Sequence, residues 1–217
     1  MQTTSNTVLI DLHYLPSLAY FTYLLPYNTI RLEAHETYQK QSYRNRCYLL
    51  TPQGSACLTV PVCKSNSKMA YRTTEIDHSQ AWAKTHWRSF CTAYNKAPYF
   101  EYFAEHFYTI LQQQHTYLFD MNVALLQTCL QLLQLKKSIE LSSTYKKRPT
   151  CNMADARYRV NLRNRLVSDI SRQHPYQQVF GRTFYPNLSI IDLLFCKGRE
   201  AIDILRAMSA QKQESAQ

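Results

Sequence analysis

Apolar positions open the chain in one short run. Thr7-Val8-Leu9-Ile10-Asp11-Leu12 mixes β-branched and aliphatic residues over a strand's length and predicts a buried opening strand. His13-Tyr14-Leu15-Pro16 turns out of it. Ser17 then stands where a helix cap belongs, and Leu18, Phe21, Leu24 and Leu25 share one helical face up to Pro26. Thr29–Ala34 predicts the next strand. Strand, short helix and strand at this spacing make a βαβ unit, hence a parallel pair. Cys47–Leu50 and Cys57–Val62 read as a hairpin around the five-residue turn Thr51-Pro52-Gln53-Gly54-Ser55.

The period changes after Lys64–Arg72, a polar stretch expected on the surface. Trp82, His86, Phe90 and Tyr94 recur at four-residue steps inside a helix predicted over Ser79–Asn95. Pro98 opens another, carrying Phe100, Phe103, Phe107, Ile110 and Leu111, and a third covers Leu118–Leu135. Tyr145–Thr150 reads as a basic loop. Asp155–Arg172 is predicted helical, with Asp155 and Arg159 as a favourable i,i+4 pair. Ser189–Phe195 and Arg199–Met208 are the last two helices, before a frayed polar tail over residues 209–217. In Leu188–Phe195, Ser189 and Asp192 have the spacing of a capping box. The expected class is α/β: a small, mainly parallel sheet in the N-terminal third and a largely helical C-terminal part. The α/β portion spans about 1–78 and the helical portion about 79–208, in one domain.

Composition narrows the chemistry. Glycine occurs 3 times in 217 residues, against roughly 7% in an average protein. The isolated Gly54, Gly181 and Gly198 cannot write a P-loop, a dinucleotide fingerprint or a glycine-rich lid. Any phosphate must therefore be held by side chains or a helix N-terminus. The net charge of +10 suits a partner bearing phosphates or carboxylates. Seven cysteines show no CxxC and no zinc spacing, so they read as reduced thiols of a cytoplasmic protein. No Lys or Arg precedes Arg31, which leaves a signal peptide without its basic start. Pro16 and Pro26 bound the one apolar stretch near the N-terminus, too short to span a bilayer. No GxSxG marks a nucleophile and no HExxH or HxxxH pair marks a metal; no cofactor is expected.

Four constellations remain. Asp11 and His13 follow the first strand, and Glu33, His35 and Glu36 follow the second. In an open parallel sheet the strands' carboxyl ends are where ligands bind. His13 is accordingly a candidate general base; the plainer alternative is a strand cap bonded to backbone. Tyr38–Arg46 packs Lys40, Arg44 and Arg46 among amides and phenols, a combination suited to a phosphate or diphosphate, with Asn45 orienting it. The aromatic and basic pattern of Trp82, Lys84, His86 and Arg88 offers a second candidate base in His86, while Trp82, Phe90 and Tyr94 read as core. Finally, Lys136–Arg172 holds ten cations against three carboxylates. Arg157, Arg159, Arg163 and Arg165 scatter around a helix rather than forming a stripe, which disfavours a nucleic-acid partner.

Five of these segments, in order, resemble the WbqC-like family of bacterial proteins: His13-Tyr14-Leu15-Pro16-Ser17-Leu18-Ala19-Tyr20-Phe21, Tyr38–Arg46, Leu58-Thr59-Val60-Pro61-Val62, the Trp82…His86 and Ala93–Phe100 helix pair, and Leu188–Phe195. The resemblance runs from about Leu9 to Leu205. This chain departs from it in having Asp11-Leu12 and Ala19 where many members have Gln-Pro and a glycine. The family's namesake occurs among genes for O-antigen polysaccharide. The resemblance therefore implies a cytoplasmic role near nucleotide-sugar or surface-glycan assembly. The first expectation is a group-transfer enzyme acting on a nucleotide sugar or similar phosphorylated metabolite. It would use His13 or His86 as base and Lys40, Arg44, Asn45 and Arg46 as binding residues. The second is a non-catalytic binding or assembly protein docking an acidic partner or nucleic acid through its basic surface. The sequence carries no signal of oligomeric state.

Overall fold

The opening apolar run becomes the central strand of a parallel sheet. In the computed structural model, which describes residues 6–64, 69–149, 153–161, 174–181 and 183–214, β1 is Thr7–Ile10 with its last three residues buried. The chain crosses over through α1 (Leu18–Leu24) to β2 (Thr29–Leu32), which lies parallel to β1 with Thr7 opposite Thr29 and Ile10 opposite Leu32. The βαβ reading holds. The sheet is not confined to the N-terminal third, however. β5 (Ser138–Leu141) adds in parallel beside β2, and β6 (Ala154–Asp155) adds in parallel beside β1, giving the order β5-β2-β1-β6. Asp155 is thus a strand residue rather than the start of a helix. It pairs with Leu9, and Ala156 N–H donates to the Leu9 carbonyl. The rest of the predicted 155–172 helix, from residue 162 on, lies outside the described residues.

β3 (Arg46–Thr51) and β4 (Gly54–Thr59) form an antiparallel hairpin. Its turn is tighter than predicted: Thr51 pairs directly with Gly54, leaving Pro52 and Gln53 at the tip, and Gly54 takes a φ of 110° that side-chain-bearing residues avoid. α2 (Trp82–Tyr94), α3 (Phe100–Gln112) and α4 (Leu118–Leu132) follow, then α5 (Ile190–Lys197) and α6 (Ala201–Glu214). α6 runs through much of the stretch expected to fray, and Ser209 is buried with its hydroxyl donating to the Thr22 carbonyl on α1. Between the hairpin and α2, Tyr71 is fully buried, although the stretch containing it read as surface loop.

The helix starts are held by backbone rather than by the predicted caps. Ser17 and Ser189 pair as an antiparallel bridge; Leu18 N–H donates to the Leu188 carbonyl and Ile190 N–H to that of Pro16. The first amides of α1 and α5 are satisfied there, so Ser189 Oγ donates instead to the Leu15 carbonyl and Asp192 is free to turn inward. The core joins both halves of the chain: Tyr14, Tyr20, Phe21, Tyr94, Phe107 and Phe195 belong to one buried cluster. No helix among the described residues is long and apolar enough to cross a membrane.

Candidate functional site

The path of the chain through the sheet sets where a ligand belongs. From β1 it moves outward to β2 and then β5, and returns to the far side of β1 only with β6. Beyond the carboxyl ends of β1 and β6, adjacent loops therefore diverge and leave a crevice, the usual ligand position in open parallel sheets. A cleft of about 510 Å³ lies there, with Asp11, His13, Lys40, Arg44, Tyr158 and Asn161 in its lining. Two of its residues take left-handed backbone, Gln41 at φ 55° and Tyr158 at φ 60°. For a bulky tyrosine this conformation is costly and persists only where the surroundings demand it. Here Tyr158 N–H donates to Asp11 Oδ1 at 3.1 Å and its ring lies 5.7 Å from the Arg44 guanidinium.

At the floor, His13 and Asp11 form a dyad. Asp11 is 2% exposed and His13 1%. Nε2 of His13 stands 2.9 Å from Asp11 Oδ2. Burial alone would raise the Asp11 carboxyl, but the His13 ring, the Arg44 charge and the Tyr158 amide outweigh it and pull it down to about 2. Asp11 is thus an ionised acceptor, and the proton in this contact sits on His13 Nε2. The imidazole is held between Tyr20, 4.8 Å away between ring centroids, and Tyr43, stacked at 5.3 Å. Among the described residues its Nδ1 has no hydrogen-bond partner, and neither has the buried Tyr20 hydroxyl. A buried polar atom without a partner is costly and rare in a folded protein, and is often explained by something that binds there.

Arg44 lines the cleft with two of its guanidinium nitrogens already bound to carboxylates. Its Nε and Nη2 reach Glu36 at 2.7 and 2.6 Å, and Nη2 lies 3.4 Å from Asp11. Burial pushes the Glu36 carboxyl up against the pull of Arg44. Paired with two carboxylates, this guanidinium neutralises the floor, and its Nη1 lies 3.4 Å from Ser42 Oγ. Asn45 donates to the Val60 carbonyl and bears on the hairpin. Arg46 begins β3 and is not among the cleft's lining. Lys40, exposed at the rim, is the cation the described lining leaves unpaired.

His86 is likewise outside the cleft. Its Nδ1 accepts from Tyr14 OH at 2.7 Å and its Nε2 donates to the Thr59 carbonyl at 3.2 Å, under the edge of Trp82. Burial pushes it down to about 4, so at neutral pH it is an uncharged tie between α2 and the hairpin. Trp82, Phe90 and Tyr94 are buried core, as predicted. The sequence sets Asp11, Glu33 and Glu36 beside His13 at the strand ends without giving them a role, and it does not single out Tyr20 or Tyr158 as site residues. The spacing of Asp11 and His13 was a usable signal; nothing local marks Tyr158, which reaches the floor only because β6 pairs with β1.

A second arginine repeats the pattern next door. Arg157 donates to Glu33 at 3.1 Å and to Asp155 at 2.8 Å, and Ser142 Oγ donates to Glu33 at 2.7 Å. Elsewhere, Asp192 accepts from Tyr176 OH at 2.5 Å and from Gln178 at 3.0 Å, with its carboxyl raised by burial. It thereby ties the 176–185 segment to α5 and is not the cap partner expected. The described cysteines are free thiols; Cys151 lies outside the described residues. No group of three or more metal-ligating His, Cys, Asp or Glu side chains gathers among the described residues.

Fold and cleft define an α/β protein with a His-Asp dyad at the switch point of a small parallel sheet. The chain belongs to the WbqC-like protein family, whose profile matches residues 12–166 and 157–204. It is 30% identical over 227 aligned positions to the uncharacterized protein Rv1507c of Mycobacterium tuberculosis, covering 93% of this chain and 97% of that protein. No solved structure matches it.

Proposed function

We propose that this protein is an enzyme that transfers a group from a nucleotide-activated sugar or a similar phosphorylated metabolite, in the assembly of a surface polysaccharide. His13 is the general base. In its neutral form, with Nε2–H donated to Asp11, the ring carries its lone pair on Nδ1. An acceptor hydroxyl or amine in the cleft gives its proton to Nδ1 as its oxygen or nitrogen bonds to the donor carbon. The bond from that carbon to the phosphate oxygen breaks, and the phosphate leaves with the electron pair. Asp11 orients the ring and stabilises the imidazolium that forms. Lys40 at the rim attracts the anionic donor.

The observation that carries this reading is that His13, a buried residue of the cleft's lining, leaves Nδ1 without a hydrogen-bond partner among the described residues while its other ring nitrogen is held by a carboxylate. Its test is conversion of nucleotide sugars, with hydroxyl and amine acceptors, followed by mass spectrometry of the products. The wild-type chain is expected to form a new product from at least one donor, and His13→Gln to slow it about 100-fold or more. No product from any donor, or an unimpaired His13→Gln, overturns the proposal.

A further inference from the structure

Beside the dyad cleft, the carboxyl ends of β2 and β5 open on a smaller cavity of about 260 Å³, lined in part by Arg31, Glu33, Ser142, Ser143, Thr144 and Lys146. Its sheet side is neutralised in pairs. Arg31 is bonded to Glu140, and Glu33 to Arg157 and Ser142. Its loop side is not. Lys146, Lys147 and Arg148 are exposed and make no ion pair among the described residues. Over Ser143–Arg148, no backbone N–H donates to a protein group among the described residues, and the Ser143 and Thr144 hydroxyls are likewise uncommitted there. Unpaired amides, hydroxyls and cations on one bent segment around a concavity are the ingredients of an anion site that needs no glycine loop.

The segment is also fixed in position. Ser142 is buried, its N–H on the Leu32 carbonyl and its Oγ accepting from Ala34 N–H. Arg157 Nη2 reaches the Lys147 carbonyl at 3.5 Å, and its guanidinium lies 5.2 Å from the centre of the Tyr145 ring. Arg157 directly precedes Tyr158, the residue that closes on Asp11. One arginine therefore joins the loop to the wall of the dyad cleft.

We infer that Ser142–Pro149 is the diphosphate-holding subsite, gripping the phosphates while the reacting carbon lies at His13. This rests on the reading given under Proposed function and assigns the role expected of Lys40, Arg44 and Arg46 to Lys146, Lys147 and Arg148. The test is calorimetric titration of the full chain with pyrophosphate, UDP and uridine. Pyrophosphate and UDP are expected to bind and uridine not to. The triple variant Lys146→Ala/Lys147→Ala/Arg148→Ala is expected to lose about tenfold or more in affinity for both, with an unchanged Tm, since these side chains are exposed. A control of equal charge loss on α2 and just after it, Lys84→Ala/Arg88→Ala/Lys96→Ala, is expected to bind like wild type. Equal loss in both variants, full binding by the loop variant, or no binding of pyrophosphate and UDP by wild type overturns the inference. His13→Gln keeps pyrophosphate binding while conversion falls, so failure of the subsite and failure of the catalytic reading give different results.

Discussion

His86 makes a measurable prediction because its burial has a pH signature. The ring bridges Tyr14 OH and the Thr59 carbonyl as a neutral imidazole, and burial holds it down to about 4 from an ordinary 6.5. In the unfolded chain it takes up a proton as the pH falls through 6.5; in the folded chain it resists until about 4. Between those values the unfolded state binds more protons, so stability present above pH 6.5 is lost progressively down to pH 4. From pH 7 to pH 5 this amounts to about 2 kcal/mol for this one group. Glu36, whose carboxyl is raised, acts in the opposite sense in the acid range, so the wild-type curve alone does not isolate the effect. Urea unfolding of wild type and His86→Gln at both pH values does. Glutamine cannot titrate, and its loss of at least one hydrogen bond lowers stability by a nearly constant amount. The wild-type advantage is expected to shrink by about 2 kcal/mol on going to pH 5. An advantage equal at both pH values within about 0.5 kcal/mol would refute the burial argument, as would a proton NMR titration of the His86 ring with its midpoint near 6.5.

Arg44→Met is expected to cost about 3–5 kcal/mol in urea unfolding at pH 7, because it leaves Asp11 and Glu36 buried without their cation. A loss below about 1 kcal/mol accompanied by loss of pyrophosphate binding would instead make Arg44 a ligand-holding residue. Gly198→Ala is expected to lower stability by about 2 kcal/mol or more in thermal melts. The position has a φ of 56°, and a Cβ there would come within 2.5 Å of the Tyr99 ring. A Tm unchanged within error would show that this turn relaxes freely.

Much of the fold is legible in the local pattern. A β-branched run, a helix bounded by Pro16 and Pro26, and a second apolar run suffice for β1, α1 and β2, since a short helix between two strands closes only as a parallel crossover. The same holds for α2, α3 and α4, whose apolar steps match the faces they bury. Asp11 and His13 were recognisable too, because i,i+2 residues just past a strand remain neighbours whatever the rest of the chain does. What depends on distant pairing was not legible. β6 is two residues long and carries no periodic signal; it exists because Leu9 offers it a free edge. That pairing brings Tyr158 onto Asp11 and Arg157 onto Glu33, across 147 and 124 positions of chain. Local composition marks Arg44 as a free cation, and only the tertiary structure supplies Glu36 and Asp11 as the partners that occupy it. Charge is a property of the residue, but the availability of that charge is decided by which opposite charge the fold buries beside it.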